Sequence, residues 1–82
     1  MTKLNVLLFA ILRELVEADS ISIEVTLPAT ASDILSAIAQ DQPALVPWLA
    51  SCRLAVDQVF VADDHLIETA VELALIPPVS GG

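Results

Sequence analysis

Glycine is almost missing from this chain. The 82 residues include two, Gly81 and Gly82, and they are the last two in the sequence. A soluble sequence of this length carries about six, at roughly 7% usage. Glycine normally serves backbone conformations that other residues resist, so every turn upstream has to be made without it. Cysteine is as scarce, with Cys52 alone. One cysteine forms no internal disulfide, and with the single histidine, His65, it builds neither a zinc cage nor an iron–sulfur cluster. No metal site is expected. Basic residues are the third shortage: Lys3, Arg13 and Arg53 stand against 11 acids, for a net charge of −8. Nucleic acid is thereby excluded as a partner, because phosphate binding needs clustered Lys and Arg. Such a surface keeps a greasy protein soluble and speeds encounter with basic proteins. Long apolar runs are also absent. The longest unbroken one, VLLFAIL at residues 6–12, is far short of the about 20 residues that cross a bilayer. No small-residue cleavage site follows it, so a cytoplasmic protein without a membrane partner is expected.

What is present is core material. Hydrophobic residues make up 56% of the chain, enough for one modest core in a single domain. Residues 4–10, LNVLLFA, read as a strand from their branched and aromatic content. Residues 11–18, ILRELVEA, change period: Ile11 and Leu15, and Leu12 and Val16, are four apart, as on an amphipathic helix. ISIEVTL at 21–27 alternates strictly, with Ile21, Ile23, Val25 and Leu27 on one face, and Pro28 ends it. Thr30 and Asp33 then form a capping-box pattern, opening a helix to about residue 40 with Ile34, Leu35 and Ile38 on one stripe. Pro43 and Pro47 permit only a short or broken helical turn between them. Residues 53–67 read as two short strands around a turn at Asp57 and Gln58, followed by a second turn at DDH. Residues 71–76, VELALI, are the last strand. This order predicts an α+β domain over residues 1–76, with helices packed on one face of a mixed sheet.

Alternation also predicts what the sheet shows on its other face. If Leu4, Val6 and Leu8 enter the core, Leu7 and Phe9 point away. If Leu73 and Leu75 enter it, Ala74 and Ile76 point away. Val59 and Val61 share one side, leaving Phe60 on the other. The resulting patch of Leu7, Phe9, Phe60, Ala74 and Ile76 is contiguous and apolar, the character of a protein interface.

Beyond residue 76 the chain reads PPVSGG. Pro77 and Pro78 stop the strand and hold the backbone extended. Residues 77–82 therefore read as a flexible arm with the smallest cross-section a peptide can have at its tip. A narrow tip with a carboxylate can thread a tunnel in another protein. The carboxylate itself is a poor electrophile until ATP adenylates it, after which a persulfide, a thiol or an amine can attack.

PPVSGG after a hydrophobic strand resembles the small, sulfur-carrying subunit of molybdopterin synthase. VLLFAILRELV is similar to that family's opening, AVDQVFV to its hairpin, and DDHLI to the turn that follows. The thiamine-pathway sulfur carrier is similar but usually shorter, and lacks the double-proline ending. Asp57 stands where the family usually has Asn, and Ala70 and Val71 where it has a Gly-Asp pair. The resemblance implies a ubiquitin-like β-grasp fold. It implies that an E1-like adenylating enzyme activates Gly82 with ATP and Mg²⁺, and that a persulfide sulfur donor leaves a thiocarboxylate there. It further implies that Pro77, Pro78, Val79, Ser80, Gly81 and Gly82 enter the large synthase subunit, that sulfur passes to cyclic pyranopterin monophosphate, and that Phe9, Phe60 and Ile76 dock. The synthase would be a heterotetramer, and this chain, itself binding no cofactor, would supply no catalytic acid or base.

Other residues read plainly. Cys52, beside Leu54, is a partly buried apolar residue, with a sulfur relay as its alternative; His65 is a turn residue; Trp48 is core or helix-edge packing. Two rival functions remain at this level. One is a ubiquitin-like modifier joined to lysines through Gly82. The other is a binding module whose patch is the whole function.

Overall fold

The computed structural model describes residues 1–78. In chain order they form β1 (Thr2–Leu8), α1 (Ile11–Val16), β2 (Ser20–Val25), β3 (Ala29–Thr30), α2 (Ala31–Asp41), a 3-10 turn (Pro43–Leu45), α3 (Val46–Leu49), β4 (Arg53–Val56), β5 (Val59–Phe60), β6 (Leu66–Ile67) and β7 (Leu73–Ile76). Five strands make one sheet in the order β2-β1-β7-β4-β5. Its central pair, β1 and β7, is parallel, whereas β1–β2, β4–β7 and β4–β5 are antiparallel. The first and last strands thus lie side by side at the centre.

One face of the sheet carries the core. Leu4, Val6 and Leu8 of β1, Ile21, Ile23 and Val25 of β2, Leu54 of β4, and Leu73 and Leu75 of β7 meet Ile34 and Ile38 of α2, with Leu12 of α1 and Leu45 closing the ends. No polar or charged residue among those described is buried with them. A mixed sheet grasping one main helix is the β-grasp arrangement, and the α+β class expected from the sequence is the one the chain adopts.

The start of α2 follows from its capping residues. Thr30 Oγ1 accepts from the Asp33 N–H at 3.1 Å, and Asp33 Oδ2 accepts from the Thr30 N–H at 3.0 Å. The next free donors of the helix end are taken by the DDH turn: the Ala31 N–H donates to the His65 carbonyl and the Ser32 N–H to the Asp63 carbonyl, each at 2.9 Å. The first turn is thereby satisfied. A two-stranded sheet of β3 and β6 fastens this junction, a pairing across 36 residues that local patterning does not reveal.

Several boundaries differ from the sequence reading. The first strand ends at Leu8 rather than residue 10 because the chain reverses at Ala10, whose φ of 51° and ψ of −127° leave the β region. The helix α1 ends at Val16 rather than residue 18, because Glu17 is left-handed (φ 60°) and its N–H returns to the Arg13 carbonyl at 2.9 Å. The last strand starts at Leu73 rather than 71. Val59 sits on the edge strand and stays 64% exposed.

The glycine-poor turns are visible in the backbone. Ala10, Glu17, Asp57 and Gln58 all have positive φ. At the β4–β5 hairpin the two central residues, Asp57 (49°) and Gln58 (71°), give the primed turn whose twist suits a hairpin and which usually carries Asn-Gly. Asp57 has a further role. Its N–H donates to the Glu72 carbonyl at 3.0 Å, and its Oδ1 accepts from the Glu72 N–H at 3.3 Å. The two departures from the family pattern, at 57 and at 70–71, therefore fall at one junction, where the hairpin holds the entry to β7.

Candidate functional site

The face of the sheet away from α2 is where the side chains excluded from the core gather. Register brings them into rows. Leu7 of β1 lies opposite Ala74 of β7, Ala74 opposite Ala55 of β4, and Ala55 opposite Phe60 of β5. Residues directly opposite share a face, so these four form one transverse row. Phe9 continues the line of Leu7, and Ile76 that of Ala74, by two-residue alternation. Together Leu7, Phe9, Ala55, Phe60, Ala74 and Ile76 line a depression of about 400 Å³, with Gln58 and Glu72 supplying its polar lining. Phe9 is 41% exposed and Phe60 49%, a large aromatic area on a surface that no element among the described residues covers.

A second and larger depression, about 800 Å³, adjoins the first. It is lined by Phe9, Ala10, Ile11, Trp48, Ile76, Pro77 and Pro78. Phe9 and Ile76 belong to both, so they form the ridge between the two. The chain leaves β7 across this ridge, and Pro77 and Pro78 form part of the wall.

All five residues that alternation assigned to the open face, Leu7, Phe9, Phe60, Ala74 and Ile76, line the first depression. Of the tail, Pro77 and Pro78 border the second; Val79, Ser80, Gly81 and Gly82 lie outside the described residues. Two contributors escaped the sequence reading. Trp48 does pack at the edge of the core, but it also lines the second depression. Its position depends on α3 folding back towards the end of β7. Ala55 is on the floor of the first; an alanine gives no sequence signal of exposure or function.

The charges around the site are few. Arg53, exposed at the start of β4, lays its guanidinium over the Phe60 ring, 4.3 Å from the centroid. Such a contact at an exposed site contributes about 0.5–1 kcal/mol. Cys52 is half-buried against the core and lines neither depression. Burial pushes its thiol pKa up, the opposite of what a reactive thiolate needs. His65 is exposed in the turn that meets the start of α2 and lines neither depression. Among the described residues no group of three His, Cys, Asp or Glu side chains could hold a metal ion, and no helix is long and apolar enough to cross a membrane. Among the described residues the site thus offers shape and apolar area rather than a reactive side chain.

Comparison with known proteins agrees with the fold. A curated relative, the molybdopterin synthase sulfur carrier subunit of Haemophilus influenzae, is 36% identical over 81 residues, covering 96% of this chain and 99% of its own. The crystal structure of the small archaeal modifier protein SAMP1 from Haloferax volcanii superposes with a TM-score of 0.85 at 28% identity, covering 99% of this chain and all of that one. The complex of subunits 1 and 2 of the molybdopterin-converting factor from Helicobacter pylori contains a chain matching at a TM-score of 0.65 and 23% identity, covering 99% of this chain and 100% of that one; it speaks for the fold alone. The model of the ThiS family matches residues 6–82, the residues lining both depressions and the terminal glycines included. With the β-grasp fold, the paired depressions and the PPVSGG ending already in view, the chain belongs to the ThiS family.

Proposed function

We propose that this chain is the sulfur-carrying subunit of molybdopterin synthase, and that its working group is the carboxyl of Gly82 charged with sulfur. One observation carries the reading: β7 ends at Ile76 on the ridge of an apolar face that no element among the described residues covers, and the residues that follow it are PPVSGG. The body supplies a docking surface and the tail supplies the reacting end. The full-length similarity to sulfur carrier subunits supports the assignment.

The chemistry needs partners at each step. On an E1-like adenylating enzyme, with ATP and Mg²⁺, a Gly82 carboxylate oxygen attacks the α-phosphorus and pyrophosphate leaves. The resulting acyl adenylate is a good electrophile. The outer sulfur of a persulfide donor attacks its carbonyl carbon, and AMP leaves. A thiol then attacks the donor-side sulfur of the acyl disulfide, is itself oxidised to a disulfide, and releases Gly82 as a thiocarboxylate. In the large subunit the sulfur passes to cyclic pyranopterin monophosphate, and water restores the carboxylate. Two such transfers build the dithiolene.

This chain's own residues position the reaction. Phe9, Phe60 and Ile76 dock on the large subunit. Pro77 and Pro78, with φ held near −65°, aim the arm. Val79 and Ser80 line the tunnel, and Gly81 keeps it narrow because it has no Cβ. Proton transfers belong to the large subunit, in a heterotetramer with a carrier at each end.

The intact mass of the protein taken from cells tests the proposal. A population heavier by the difference between sulfur and oxygen is expected, and it should vanish when the activating enzyme is deleted. A protein that carries only oxygen at Gly82 under sulfur-replete conditions refutes it. The likeness to SAMP1 favours a second reading, a protein modifier. In that case tryptic digests of cell proteins contain lysines joined through an amide to the terminal Gly-Gly.

A further inference from the structure

We infer that Arg53 and Glu72 fix the direction in which a protein partner seats on the open face. That partner presents a carboxylate to Arg53, at the end where the tail leaves, and a cation to Glu72 at the other end. The inference rests on the docking reading given above and adds the charge chemistry of the partner.

Cations are rare enough here that the place of each is informative. Of the three, Arg13 lies 3.5 Å from Asp19, and Lys3 stands opposite Glu24 in the β1–β2 register. Among the described residues Arg53 has no carboxylate within 4.0 Å. Leu54 enters the core at 2% exposure, so Arg53 on the preceding position faces the open side, opposite Ile76 in register. Its guanidinium carbon lies 4.3 Å from the ring centroid of Phe60, one of the proposed docking aromatics. The contact with the ring engages the π-system and leaves N–H donors for a planar, bidentate acceptor. An arginine placed to be covered along with Phe60 must meet such an acceptor, since a charge buried without a partner is strongly unfavourable.

The opposite end carries the opposite sign. Glu72 lines the same depression, and its backbone is pinned on both sides by Asp57. Glu72 and Ile76 are about 13 Å apart along the strand, at ~3.3 Å per residue. The Arg53 guanidinium, leaning from the Ile76 row onto Phe60 in the Ala74 row, lies on the tail side of Glu72, so the face is positive towards the tail and negative at the far end. A partner seated in reverse would set like charges together, which selects against that orientation. Direction matters because only one orientation carries residues 77–82 into the partner.

Calorimetric titration of the carrier with the large subunit of molybdopterin synthase, at low and high salt, tests this. Arg53→Leu should weaken binding by at least about tenfold at low salt and flatten its salt dependence. Arg53→Lys should keep the salt dependence with intermediate affinity, and Glu72→Gln should also lower affinity. Phe60→Ala should weaken binding while the salt dependence persists. Wild-type affinity and salt response for Arg53→Leu overturn the charge inference and leave the docking face standing. Wild-type affinity for both Phe60→Ala and Ile76→Ala removes the docking face, and this inference with it. Each variant is melted alongside; if Arg53→Leu does not fold, Arg53→Lys and Glu72→Gln carry the test, and unchanged binding in both overturns it.

Discussion

Replacing Ala10 by glycine should make this protein more stable. Ala10 joins β1 to α1 with φ 51° and ψ −127°. The Leu12 N–H donates to the Phe9 carbonyl at 3.1 Å, closing a four-residue turn around it. Those angles belong to the first central position of a type II′ turn, which glycine dominates because a Cβ there meets the backbone. A non-glycine residue in so sparsely populated a region costs about 1–3 kcal/mol. Ala10 is also the N-cap of α1 and makes no side-chain cap bond, and glycine is the better N-cap of the two. Against these gains stands the larger entropy that glycine loses on folding, about 0.5–1 kcal/mol. The balance is a gain of about 1 kcal/mol, or ~4–8 °C in Tm for a domain of this size. Urea unfolding followed by far-UV circular dichroism measures it, with an unchanged m value showing that the surface exposed on unfolding is the same in both proteins. Ala10→Val should move the other way, since a β-branched residue tolerates positive φ least. A Tm for Ala10→Gly at or below wild type refutes the strain argument.

Three further expectations concern the tail, the cap and the thiol. Deleting Gly82 should abolish sulfur loading, and Gly81→Ala should impair transfer to the pterin, while both melt as wild type; turnover at the normal rate in either argues against a threaded tail. Thr30→Ala should lower stability by about 1 kcal/mol through loss of the α2 capping box, read as a shifted urea midpoint. Cys52, with its thiol pKa raised by burial, should react with iodoacetamide at neutral pH more slowly than a free thiol, and Cys52→Ser should leave sulfur transfer intact. The sign of its pH effect follows from proton uptake: the folded chain holds the thiol proton to higher pH than the unfolded one, so stability falls as pH rises above the ordinary thiol range. A Cys52→Ser variant without that alkaline decline locates the effect.

Much of the site could be read from alternation because a strand's period of two is rigid. Once Leu4, Val6 and Leu8 are assigned inward, Leu7 and Phe9 have no choice but to face out. The same holds for Ala74 and Ile76 beside Leu73 and Leu75. The Thr30–Asp33 cap was equally legible, because its partners are three residues apart. Strand ends were not. Residues 9 and 10 are as apolar as those before them, and only a dihedral at Ala10 stops β1. Trp48 was read as packing alone because its second role requires two segments, at 48 and at 76–78, to meet in space.

The sequence by itself therefore determined the class of fold and the inward and outward faces of its long strands. These rest on local periods. Tertiary structure decided what depends on distant pairings. It set β7 parallel to β1 at the centre of the sheet, so that residues 73–75 run beside residues 6–8. It joined β3 to β6 under the start of α2. It also laid Arg53 on Phe60 and opposite Ile76. Strand register fixes these contacts, and register is settled only when the whole core closes.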